Sequence, residues 1–170
     1  MEKLKFKNGF TLIETLIYVV IFTIFVISMV TFSSSMTSSR LHNQMVLEIN
    51  DQGSKIMKII TQTIRNASQI NSPTIGNSAL NLNIVTELPI TNPTIFSESN
   101  GVLYVTEGVG NPIALTNNKV IVSNLNFSNF SRPDTPNIIK VSFKLTSTAL
   151  DSSPGGTYSF TFNGSGTLRK

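Results

Sequence analysis

Residues 10–32, FTLIETLIYVVIFTIFVISMVTF, are apolar or weakly polar throughout, with one charge at Glu14. A helix of this length, at about 1.5 Å per residue, reaches roughly 35 Å and crosses a hydrocarbon core of about 30 Å. The run is apolar on all faces, and a chain of 170 residues has no interior large enough to hide it. A secretory signal peptide has a shorter apolar region, of about 7–15 residues, followed by a small-residue cleavage site. Residues 33–39 offer no such site. The β-branched residues of the run are tolerable in lipid, where the backbone has no hydrogen-bond partner except itself. The run therefore predicts one membrane-spanning helix.

Its flanks set the direction. Lys3, Lys5 and Lys7 precede the run, so the positive-inside rule keeps residues 1–9 in the cytoplasm and sends the remainder out. Glu14 is what a plain anchor does not explain, because a carboxylate within the bilayer costs about 2.5–3.5 kcal/mol and calls for a partner. A cut between Gly9 and Phe10 would create a positive α-amino group four residues before it, about 6 Å along a helix axis. That group and Glu14 pair within one helix, or between staggered neighbouring helices, where the pairing sets register.

The segment Lys7-Asn8-Gly9-Phe10-Thr11-Leu12-Ile13-Glu14 resembles the cleavage and methylation motif of type IV prepilins and type II secretion pseudopilins. The resemblance implies that a prepilin peptidase cuts after Gly9 and methylates Phe10. It implies that Glu14 aligns an incoming subunit with its neighbour. Its implied partners are that peptidase, other pilin or pseudopilin subunits met through the N-terminal helix, and an inner-membrane assembly platform. Many major pilins carry a helix-breaking proline in the apolar half; this chain has none before Pro73. The expected organisation is a cleaved leader (1–9), a transmembrane and assembly helix (10–32), a polar, pliable membrane-exit segment (33–40), an amphipathic helix (41–72) and a β-rich head (73–170). The implied location is the plasma or inner membrane in a single pass, with the N-terminus cytoplasmic and the head outside, and then a pilus or pseudopilus.

Beyond residue 40 the spacing of Leu41, Met45, Ile49, Ile56, Ile60, Ile64 and Ala67 makes one amphipathic face. Met45, Ile49, Ile56, Ile60 and Ile64 are expected to pack this helix on its own head, with Gly53 admitting a strand or a slight bend. Asn71-Ser72-Pro73 is expected to end the helix. From residue 79 the period becomes two: Leu80, Leu82 and Ile84; Ile139, Val141, Phe143 and Leu145; Tyr158, Phe160 and Phe162. Asn100-Gly101 is a type I′ hairpin signal, Asn117-Asn118 a second turn and Pro154-Gly155-Gly156 a third, with Asn163-Gly164 ending the last pattern or beginning a bulge. The fold class is α+β, type IV pilin-like: a long N-terminal helix and an antiparallel sheet of six or seven short strands. The strand progression through residues 102–105, 120–127 and 139–145 resembles minor pilin heads, W-type minor pilins and J-type pseudopilins above all.

Charged residues make up 13 % of the chain and apolar ones 40 %, where ordinary domains carry roughly 25 % charged residues. Ser, Thr and Asn take the place of the missing charge. Half of the formal +4 belongs to the leader, so the basic pI is no nucleic-acid footprint. There is no cysteine and one histidine, His42, which leaves no disulfide framework, thiolate metal site or Cys-His pair. Glu98, Glu107, Asp134 and Asp151 lack the spacing of a calcium loop. The sequence reads as a structural subunit, with no enzyme, cofactor or metal site expected. The alternative is a filament-displayed binding module whose head contacts DNA, a surface or a secreted substrate. Lys140 and Lys144 are the strand cations available to such a head.

Overall fold

The computed structural model describes residues 11–133, 135–148 and 157–169. The chain forms two compact units, Met1–Arg40 and Leu41–Lys170. Helix α1 (Leu12–Arg65) begins in the first and ends in the second.

In the first unit the helix is unbroken, as expected of a run without proline. Its apolar side chains are exposed from Leu12 to Phe32, and it is long and apolar enough to cross a membrane. Its hydroxyls turn back onto their own helix. Thr15 donates to the Leu12 carbonyl at 2.8 Å, Thr23 to Val19 at 2.7 Å, Ser28 to Ile24 at 2.9 Å and Thr31 to Ser28 at 2.9 Å. Such back-bonding meets the demand of lipid that polar groups be satisfied internally. Residues 33–40, read from sequence as a pliable exit segment, are helical. Thr37 and Ser39 hold that stretch through bonds of 3.0 and 3.1 Å to the carbonyls of Ser33 and Ser35.

The second unit contains two antiparallel sheets. The first joins β1 (Ala67–Ser72), β3 (Leu82–Thr86), β4 (Thr94–Ser99), β5 (Val102–Glu107) and β6 (Ile113–Ala114) in that order. The second joins β2 (Ser78–Ala79), β7 (Val120–Asn129), β8 (Ile138–Ser147) and β9 (Ser159–Thr167). One core links Ile49, Ile56, Ile60 and Ile64 of α1 to the inner residues of both sheets, among them Leu82, Phe96, Leu103, Phe127 and Phe143.

Four local features depart from the sequence reading. The helix stops at Arg65 and not at residue 72, because residues 67–72 pair with β3, Ala67 opposite Thr86. Ala67 is buried as the first residue of this strand, and an apolar residue three places after Ile64 also fits a helical face, so its apolarity did not distinguish them. Leu80 lies between strands and is 76 % exposed, so the alternation begins only at Leu82. Phe160 is exposed while Phe162 is half-buried. Asn163-Gly164 neither ends nor bulges the last strand, which keeps register with β8 from Ser159 to Thr167.

Two turns of the backbone follow from their residues. Asn100 and Gly101 both have positive φ, 52° and 77°, the type I′ conformation that glycine and asparagine tolerate best. The Glu98 carboxylate accepts the Gly101 N–H at 2.7 Å there. In β7 the buried positions are even at Val120 and Val122 and odd at Leu125 and Phe127. A bulge makes the change: pairing runs from Ser123–Lys144 directly to Asn126–Ser142, and Asn124 has φ of 54°. One extra residue thus keeps both halves of the strand facing the core.

Candidate functional site: the helix start and its packing on the strands

Gly9, Phe10, Lys3, Lys5 and Lys7 lie outside the described residues, as do Asp134, Asp151 and the Pro154-Gly155-Gly156 turn. The described chain opens on Thr11, and Thr11 caps α1. Its side-chain oxygen accepts the Glu14 N–H at 3.3 Å, and its carbonyl accepts from Glu14 and Thr15 at 3.1 and 3.2 Å. Thr11-x-x-Glu14 is the sequence signature of a capped helix start, with an acid in the first turn where the helix dipole favours it.

Glu14 has a local partner as well. The Tyr18 hydroxyl, one turn on, donates to its Oε1 at 3.4 Å. Sequence reasoning looked only N-terminally, toward the α-amino group that cleavage would expose. The i, i+4 spacing of Glu14 and Tyr18 was the signal that would have found the second donor. The carboxylate is thus held from its C-terminal side.

In the second unit Ile49, Ile56, Ile60 and Ile64 are fully buried, Met45 is intermediate, and Leu41 is exposed. Gly53 completes the stripe: a Cβ there would overlap the ring tip of Phe162 on β9. Farther along the same strand, a Cβ at Gly164 would meet Sδ of Met57. One at Gly166 would stand 2.9 Å from Cγ2 and 3.0 Å from Cβ of Ile64. Helix and strand thus approach at backbone distance, and small residues on both sides permit it. The alternation of Phe162, Gly164, Gly166 and Leu168 was the legible sign that this face lies under a helix.

A polar latch ties α1 to the segment before β7. Glu48 accepts from the side-chain amides of Asn117 at 2.8 Å and Gln52 at 3.1 Å, and from Lys119 Nζ at 3.5 Å. These donors, Asn117 foremost, hold its carboxyl below the usual range. Asn117 also accepts the Lys119 N–H at 3.0 Å, so the predicted Asn117-Asn118 turn supplies the latch. The chemistry of other kinds is thin. His42 packs edge-on against Tyr158 with centroids 5.8 Å apart. Among the described residues no cluster of three metal-ligating side chains forms. Lys140 is exposed and Lys144, four residues along the same face of β8, is half-buried, while Phe143 on the other face is buried.

Residues 4–30 match the family model described as the prokaryotic N-terminal methylation motif. No curated protein and no solved structure matches the chain.

Proposed function

We propose that this chain, which carries the prokaryotic N-terminal methylation motif at residues 4–30 and a helix long and apolar enough to cross a membrane, is a prepilin-peptidase substrate held in the inner membrane and serves as a minor filament subunit. Cleavage between Gly9 and Phe10 and methylation of Phe10 leave an α-amino group next to the capped start of α1. The leader lysines keep the processing site on the cytoplasmic side, and residues 41–170 are carried outside as the head. Its strand pattern supports the minor-pilin class. The filament is a type IV pilus or a pseudopilus, and assembly draws in other pilin-type subunits and the membrane platform.

The observation that carries this reading is the position of Glu14. It sits in the first turn of a helix otherwise built for lipid, four residues from the proposed new terminus. Opposite charges about 4 Å apart gain roughly 4 kcal/mol at an effective dielectric of 20, enough to offset burial of the carboxylate. Pairing with the α-amino group of a neighbouring subunit would therefore make the filament the better environment.

The intact mass of protein from peptidase-positive cells should show loss of residues 1–9 with one added methyl. Retention of Met1, or a cut after residue 32, would overturn the reading. Glu14→Gln should be processed and stay in the membrane, yet enter sheared filaments poorly beside the wild type. Equal incorporation would remove the alignment role.

A further inference from the structure

The described strands leave four sheet edges, and three are blunted. Strands β2 and β6 are two residues long, and β1 slips register between Ala67 and Gln69 and again between Ile70 and Ser72. Short or irregular edges of this kind are how soluble proteins avoid pairing with other chains. The fourth edge, β9, runs nine residues in unbroken register with β8 and contains no charge and no proline. At about 3.3 Å per residue it is roughly 30 Å long.

Its outward groups follow from the ladder. The Tyr158 carbonyl accepts from Ser147 at 2.8 Å, and Leu168 donates to Asn137 at 3.0 Å, so the even residues of β9 bond toward β8. Alternation in an antiparallel pair then turns the N–H and C=O of Ser159, Thr161, Asn163, Ser165 and Thr167 away from it. Those five have no backbone partner on that side among the described residues, and all five are exposed.

We propose that the β9 edge accepts an extended, uncharged segment of a different pilin-type subunit as an added strand, bonded to the outward main chain of these five residues. The inference rests on the filament reading above. An extended backbone is the occupant because the unmet groups are alternating amides and carbonyls, which another strand satisfies in full. A second copy is excluded by packing. Helix α1 lies on the inner face of β9, with Ile64 within 3.0 Å of a Cβ at Gly166. Paired β9 strands would stand about 4.8 Å apart, whereas two helices need about 8–10 Å. The incoming segment therefore brings no helix over that face and presents small side chains to it.

The test is amide hydrogen exchange on the full-length protein, resolved along residues 157–169, in detergent and in isolated filaments. In detergent the five odd amides should exchange freely and the even ones slowly; in filaments the odd ones should slow by about tenfold or more. Thr161→Pro with Ser165→Pro removes two outward donors and no bond to β8, the edge position proline tolerates. This variant should be cleaved and membrane-bound but incorporate poorly. An uncharged strand-forming peptide of alternating threonine and alanine, which presents only small side chains to the face under the helix, is a second probe and should protect the same amides in detergent. Odd amides that stay fast in filaments, or a proline variant that incorporates like the parent, overturn the proposal. If the protein is absent from filaments, the peptide decides. Protection removes the filament reading and keeps the edge; no protection removes both.

Discussion

Replacing Gly53 by alanine sets local preference against packing, and the two predict opposite signs. In an exposed helix the change stabilises by about 1 kcal/mol, since glycine is that much poorer than alanine. Here the added methyl would overlap the ring tip of Phe162, so the ring must leave. Phe162 stacks on Phe143 with centroids 5.4 Å apart and meets Phe160 edge-on at 5.0 Å. Such aromatic pairs contribute about 0.5–1.5 kcal/mol each beyond their buried area, and forced overpacking costs about 1–3 kcal/mol. Against the gain in helix propensity, Gly53→Ala should destabilise by about 1–3 kcal/mol. In a Phe162→Ala background the methyl has room, and the same change should stabilise by up to about 1 kcal/mol. Urea unfolding of a fragment spanning residues 41–170, in the four variants of this cycle, measures both signs. A coupling below about 0.5 kcal/mol, or a stabilising Gly53→Ala in the parent, would refute the helix–strand contact.

Three further outcomes follow from the same fragment. Ile60→Asp places an unpaired charge at a fully buried position and should cost several kcal/mol; an unchanged melt would mean the stripe faces something else. Asn124→Val forces a β-branched residue into φ near 54° and should cost about 1–2 kcal/mol, while Asn124→Gly should be near neutral; equal melts would remove the bulge. Glu48 has a lowered pKa in the fold, so its contribution is present above the unfolded carboxylate value and is lost as pH falls through the folded one. Glu48→Gln should therefore lower stability by about 1 kcal/mol at pH 7, with the gap to wild type closing in acid; a gap constant between pH 7 and 3 would contradict the latch.

How far the sequence could be read depended on whether a segment's structure is decided locally. The membrane helix was legible because lipid leaves a long apolar run one solution, and the Asn100-Gly101 turn because few dipeptides accept two positive φ angles. The stripe from Ile49 to Ile64 was legible because its period matches the helix and the core covers it in full. Residues 67–72 were misread because Ala67 falls at a helical interval from Ile64, and only the partner strand β3 decides otherwise. Asn124 was invisible, since one inserted residue changes the parity of buried positions without changing composition. At the start of α1 the residues proposed for cleavage and alignment were read as types, whereas the Tyr18 donor and the Thr11 cap were passed over. Both belong to i, i+3 and i, i+4 relations that a search for charge partners does not visit.

The inward-turned hydroxyls of the membrane helix have a consequence for how such helices sort among themselves. Thr15, Thr23, Ser28 and Thr31 each donate a hydrogen bond to a carbonyl of their own helix, and Tyr18 donates one to Glu14. A neighbouring helix pressed against this surface meets side chains whose contacts depend little on axial position. Dispersion forces hold such a pair together at almost any offset, since each contact is worth only about 0.1–0.2 kcal/mol and exchanges for a similar one as the helices slide. On the alignment role proposed for Glu14, one carboxylate near the end would break that indifference. The helix would then be in effect a smooth rod with a single index mark, able to travel along unlike neighbours and to stop where the mark meets a positive charge.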